Sequence, residues 1–157
     1  MKNQIRINGI IILSFVFVML GCGSSGEEKK QSSSDPQPET TSNSNDPMKN
    51  KGIGPVQSIT LSSIDQAMAD EGQKVYQEKC SACHKAEEKF VGPAPKGIMD
   101  RRSPEWIMNM ILNPEEMIKN DPIARQLLID FNLAPMANQH LTHDQARNIL
   151  EYFRTLK

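Results

Sequence analysis

The chain has 157 residues, 38% of them apolar and only 5% aromatic, with a formal net charge of −1. That length suits one folded domain better than two, and without a basic excess the commonest nucleic-acid-binding class is excluded. Charged residues at 24% are ordinary, so the chain is not disordered throughout. Three cysteines, an odd number, do not make a disulfide framework by themselves. Two questions follow: what fills a core so poor in aromatics, and what the cysteines do.

At the N-terminus, Lys2 and Arg6 precede an apolar stretch from Ile10 to Leu20 that only Ser14 interrupts. It is about half the roughly 20 residues a membrane-spanning helix needs, so residues 1–21 are expected to be a signal peptide. The stretch runs into Met19-Leu20-Gly21-Cys22, which resembles a bacterial lipobox with methionine where that motif usually has leucine. The resemblance implies a diacylglyceryl group on Cys22, which becomes the mature N-terminus; an ordinary secretory signal with an incidental cysteine is the alternative. Two or more acyl chains anchor stably, whereas one binds only marginally. Cleavage before Cys22 would take Lys2 and Arg6 from the 18 basic residues and nothing from the 19 acids, leaving a formal charge of −3.

From Gly23 to Lys51 the only apolar side chain is Met48. Such a composition cannot bury enough surface to offset ordering entropy, so residues 22–57 are expected to be the lipidated cysteine and a disordered polar tether. A flexible segment of about 35 residues has an r.m.s. reach of roughly 30 Å. The folded domain is then expected over 58–157.

This domain reads as all-helical, since no stretch alternates with period two. Ser62 or Ser63 can cap a first helix starting near Ile64, with Ile64, Met68, Gly72, Val75 and Tyr76 on one face. Ser103-Pro104-Glu105, Asn113-Pro114-Glu115 and Asp121-Pro122 each give a cap followed by proline at the first helical position. Three short helices in succession are therefore predicted. The last opens at Thr142, with Gln145 as its capping-box partner and Ala146, Ile149, Leu150 and Phe153 as its apolar face.

Cys80-Ser81-Ala82-Cys83-His84 is the most specific motif, because two cysteines three apart followed by histidine is the c-type haem attachment pattern. Each thiol can add to one haem vinyl group, and the adjacent histidine is then held under the iron. Zinc would need two further ligands, to be found among Cys22, His140 and His143. A redox dithiol usually sits in an α/β fold. Both readings remain as lesser alternatives.

With these residues in place, the segment from about 62 to 157 resembles the mono-haem class I cytochrome c family. The resemblance implies several short helices around a covalently attached haem, with the N- and C-terminal helices packed together. Gly72 and Tyr76 match the family's first-helix pattern, and Tyr152 and Phe153 match the aromatics of the last helix. Gly92-Pro93 stands where the family supplies a carbonyl to the histidine's outer nitrogen, which implies that Pro93 orients His84. Met136, in the loop before the last helix, corresponds to the second axial ligand, although Pro135 precedes it where the family has a proline after it. Either His140 or His143 could replace it in a bis-histidine iron, but both are expected at the surface. Met108, Met110 and Met117 are expected to pack around the porphyrin, and Met99 to lie in a loop near its proximal side. Trp106, Arg101 and Arg102 are expected haem neighbours, the indole N–H and the guanidinium groups being able to meet propionates.

A six-coordinate haem passes electrons but offers no open site, so the expected function is one-electron transport, not enzymatic catalysis. The cofactor is one covalent haem c with its iron. The partners implied are a quinol–cytochrome c oxidoreductase and a terminal reductase or oxidase, met on the periplasmic or extracytoplasmic side of a membrane. The run from Trp106 to Pro114 resembles small lipoprotein cytochromes of nitrous-oxide reductase systems. A gas sensor or small peroxidase with a weak or open sixth position is the alternative, and a haem-free structural lipoprotein a third. A bound porphyrin would also answer the first question, by lying at the centre of a core that is marginal alone.

Overall fold

Three successive helices begin at a proline, and each follows a residue that ends the previous turn in a non-helical conformation. The computed structural model describes residues 46–157 and has five α-helices there: α1 (Gln66–Lys79), α2 (Pro104–Leu112), α3 (Pro114–Asn120), α4 (Pro122–Asp130) and α5 (His143–Thr155). A 3₁₀ turn, Ile98–Asp100, precedes α2, and no strand occurs among the described residues. The all-α expectation holds. The expected signal peptide 1–21, Cys22 and the greater part of the expected tether lie outside the described residues.

The caps fall where predicted in three cases. Ser103 accepts the Trp106 amide at 3.1 Å, Asp121 accepts that of Ala124 at 2.8 Å, and Thr142 and Gln145 form the reciprocal capping box. Asn113 differs: its amide donates to the Ile53 carbonyl at 3.2 Å instead of capping α3. The start of α1 also differs. Asp65 is the cap, accepting from the Met68 amide at 3.0 Å, because Ser62 is held further out by Arg154, which donates to its carbonyl at 2.6 Å. Ile64 therefore precedes the helix and is exposed, and the buried face is Ala69, Gly72, Val75 and Tyr76.

Helices α1 and α5 make the principal helix–helix contact. Gly72 is at the crossing, where a Cβ would strike the Asn148 carbonyl and lie 2.8 Å from the Ile149 nitrogen. Beside it, the Tyr76 ring meets Tyr152 at 5.3 Å and Phe153, edge to face, at 5.8 Å. Ala146, Ile149, Leu150 and Phe153 are all buried, as their spacing predicted. Glu151 is buried on the same helix, its charge met by Arg147 and, at 2.7 and 2.6 Å, by Arg154.

One expectation is corrected outright. Residues 50–57, assigned by composition to a tether, form an ordered strap laid over α2 and α3. Side chains spaced four apart hold its backbone. Glu105 accepts from the Ile59 amide at 3.1 Å, and Asn109 accepts from Val56 and donates to the Lys51 and Val56 carbonyls, each at 2.9 Å. Asn113 donates to Ile53, whose own amide meets the Met117 sulfur. Asn50 and Val56 of the strap are themselves buried. Composition misjudged the segment because captured backbone groups, more than apolar side chains, fix it there.

Substituting Gly72→Val should force the α1–α5 crossing apart and cost about 3 kcal/mol. Chemical denaturation of the haem-loaded protein measures this, and an unaltered midpoint would contradict the close approach.

Candidate functional site

The end of α1 and the turn after it are one continuous hydrogen-bonded device. Cys80 caps the helix, and the Cys83 and His84 amides both return to its carbonyl, at 3.0 and 2.9 Å. Three further bonds fasten this turn. The Gly92 amide donates to the Cys83 carbonyl at 2.9 Å, the Tyr76 hydroxyl to the His84 carbonyl at 2.6 Å, and His84 Nδ1 pairs with the Pro93 carbonyl at 2.8 Å. A carbonyl can only accept, so Nδ1 carries the proton and Nε2 is the nitrogen left for a metal. Pro93 thus stands where the sequence expected it. Gly92 has to be glycine for space, since a Cβ there would lie 2.8 Å from Nδ1 and 2.9 Å from Nε2.

Burial pushes the Tyr76 hydroxyl up to about 12, with Tyr152 and Cys80 adding to the shift, so it remains a donor at ordinary pH. The sequence suggested Tyr76 only as a packing aromatic. Its second role has no signal in one sequence, because the acceptor is a backbone carbonyl.

Cys80, Cys83, His84 and Met136 all line one cleft, whose walls are mainly apolar and include Ile107, Ile111, Leu127, Leu128 and Ile149. The turn after α1 contributes one side and the loop 134–137 another. Burial, with Cys83 beside it, pushes the Cys80 thiol up to about 11. Redox dithiols carry a lowered thiol instead, so this environment disfavours the dithiol alternative. His140 and His143 are exposed and do not line the cleft. Among the described residues no group of three or more His, Cys, Asp or Glu side chains is assembled to hold a metal ion.

Trp106, Arg101 and Arg102 also line the cleft, but with different partners from those expected. The Trp106 indole N–H donates to Asp121 at 3.1 Å, because that buried carboxylate faces it from the first turn of α4. It is not free for a propionate. Arg101 donates to the Ala94 and Lys96 carbonyls at 3.1 and 2.9 Å, bracing the loop after Pro93. Arg102 lies over the Trp106 ring at 5.3 Å, and burial, together with the adjacent Arg101, lowers its pKa against the opposing pull of Asp121. Of the methionines expected around a porphyrin, only Met110 lines the cleft. Met108 and Met117 are fully buried elsewhere, Met117 against Gly52 of the strap. Met99 sits within the 3₁₀ turn, where Ile98 and not Met99 faces the cleft.

The donor set fits a covalently held haem: two thiols at one edge, an oriented imidazole, a thioether in a facing loop, and apolar walls. The family pattern of cytochrome c matches residues 69–157. A cytochrome c from Rhodothermus marinus is 40% identical over 66% of this chain and 89% of its own, with a TM-score of 0.64. An engineered form of that protein, bound to a carbene intermediate, superposes at 0.61 with the same identity. The cytochrome c domain of the pp3183 protein from Pseudomonas putida, at 23% identity and 0.50, shares the fold over 54% of this chain. No curated protein matches. The chain belongs to the cytochrome c family. Its cofactor is accordingly haem c with its iron, attached covalently, and its chemistry is haem-based electron transfer.

Without haem the cleft walls should lose their shared packing partner, so a Cys80→Ser/Cys83→Ser double variant should lose cooperative thermal unfolding. Circular dichroism measures this, and a native-like spectrum with a sharp transition would refute it.

Proposed function

We propose that this protein is a single-electron carrier held near a membrane by lipid on Cys22, with its haem domain on the extracytoplasmic side. The observation that carries the reading is the convergence of Cys80, Cys83, His84 and Met136 on one apolar cleft. Cys80 and Cys83 would form the thioethers, and His84 and Met136 would be the axial ligands. Haem supplies one-electron exchange at the iron when bound. The chain's residues hold and shield it. Pro93 fixes the imidazole, which raises its basicity as a ligand. The apolar walls exclude water, and the thioether of Met136 favours a higher potential than a second histidine would. Arg101 and Arg102, at the cleft, remain the candidate partners for propionates.

An edge of the cleft suits protein encounter. Val91 and Phe131 line it, Phe90 and Leu133 are exposed on the same two loops and Ile129 at the end of α4, and Lys85 lies over Phe90 and Lys89 over Phe131. Lys89 also reaches the Asp130 carbonyl at 3.3 Å, joining the two loops that border this edge. An apolar patch studded with lysines fits partners with an apolar centre and an acidic rim. A quinol–cytochrome c oxidoreductase as donor and a terminal reductase or oxidase as acceptor, nitrous-oxide reductase among them, are the proposed partners. Confinement to the membrane would raise their encounter frequency. Cytochrome c domains are typically extracytoplasmic, which agrees with the sequence-based export signal.

One observation favours the sensor or peroxidase reading. The loop that carries Met136 is bounded by Asn132, Leu133 and His140, all with positive φ, at 57°, 60° and 52°. Each such residue costs about 1 kcal/mol or more, which would help the loop to leave the iron. Carbon monoxide and the electronic spectrum separate the two. For a carrier, the reduced protein should resist carbon monoxide, while Met136→Ala should bind it promptly and lose the low-spin spectrum. Prompt binding by the unsubstituted protein would favour the open site, and an unchanged spectrum in Met136→Ala would move the sixth ligand elsewhere.

A further inference from the structure

Behind the cleft wall lies a carboxylate that the electron-carrier reading does not use. Asp121 is fully buried, and its two oxygens meet three donors. Oδ1 accepts the Trp106 indole N–H at 3.1 Å and the Ala124 amide at 2.8 Å, and Oδ2 accepts the Asn50 side-chain amide at 2.6 Å. Every partner donates, which matches the acceptor-only character of an ionised carboxylate. Capping α4 needs one oxygen, and asparagine or serine would cap equally well. A buried full charge is therefore more than the helix start requires, and burying one is costly.

The partners show where that charge acts. Trp106 and Ala124 both line the cleft, from two different helices, and the third partner, Asn50, belongs to the strap. Asp121 thus grips the cleft wall from behind at two points, while Ser103 ties the strap down beside it by donating to the Asn50 carbonyl at 2.6 Å. Arg102, stacked on the Trp106 ring, is the positive group on the cleft side of the same wall.

We infer that Asp121 is a positioning residue of the haem pocket, which fixes the Trp106 ring and the start of α4 as cleft wall and sets behind them a negative charge that favours ferric over ferrous haem. This rests on the haem reading above. A fixed anion lowers the energy of whichever redox state carries more positive charge, and at an effective dielectric constant of about 20 one unit charge about 12 Å away shifts such an equilibrium by about tenfold. The strap closes the site, because Asn50 satisfies the oxygen that the wall leaves free, but the charge itself belongs to Asp121.

The test uses the full-length, haem-loaded protein. Asp121→Asn should raise the midpoint potential by about tenfold in the redox equilibrium, or about 59 mV for a one-electron couple, with the low-spin spectrum retained. Asn50→Ala loosens the strap but keeps the carboxylate and its hold on Trp106. It should speed amide exchange at Ile53 and Val56 while leaving the potential in place. If Asp121→Asn does not fold, the double variant Asn50→Asp/Asp121→Asn restores a complementary hydrogen bond and moves the charge onto the strap. The charge then stands only a hydrogen bond further from the cleft, so the double variant should show a smaller rise than removal of the charge would give, with the strap protected from exchange. An unmoved potential in whichever of these folds, or a shift in Asn50→Ala as large as in Asp121→Asn, would overturn the inference. A colourless unsubstituted protein would instead defeat the haem reading itself, so the two failures are distinguishable.

Discussion

The close crossing of α1 over α5 at Gly72 is the constraint from which the site's geometry follows. Because no side chain intervenes there, the backbone of one helix rests on the Asn148–Ile149 backbone of the other. The end of α1 is thereby fixed above the face of α5 that carries Ile149 and Phe153, both of which line the cleft. The cysteine turn begins at Cys80, the cap of that helix, so its position is inherited from the crossing. A helix is stiff over such a length, and an error at Gly72 would be carried to Cys80 undiminished.

What the crossing positions, a set of backbone carbonyls then immobilises. The carbonyls of Cys83, His84 and Pro93 accept from Gly92, Tyr76 and the His84 ring respectively, so the turn, the helix and the following loop hold one another. None of these bonds is individually worth much more than about 1 kcal/mol. Together they leave the imidazole a single orientation and tautomer. A rigid ligand frame suits electron exchange, since little has to move when the charge changes.

Much of this was legible from residue types alone. The proline starts, the capping box of α5, its apolar face and the cysteine–histidine turn are local patterns, written within a few residues of one another. Gly92-Pro93 was legible only through resemblance to the cytochrome c family, but its geometry is the one expected. What was missed depends on pairs far apart in the chain. Asp121 reads as a helix cap, and nothing near it announces that its other oxygen meets Asn50 or that Trp106 would donate to it instead of to a propionate. The strap was missed for a related reason. Apart from Ile53, Pro55 and Val56 it carries little to bury, whereas Glu105, Asn109 and Asn113 supply the partners from one helical row. Only the start of the α1 face was misread, Ala69 being buried in place of Ile64 and Met68, with the cap on Asp65 and Ser62 held by Arg154.

The strap also bears on where this protein can be cut. The segment that matches the family begins at residue 69, which would suggest a domain boundary close to the start of α1. A polypeptide trimmed there would leave Asn109 without the backbone groups it serves, expose the Met117 sulfur and uncover one oxygen of Asp121. The smallest autonomous piece is therefore longer than the segment that matches the family, and its first stitch is Asn50.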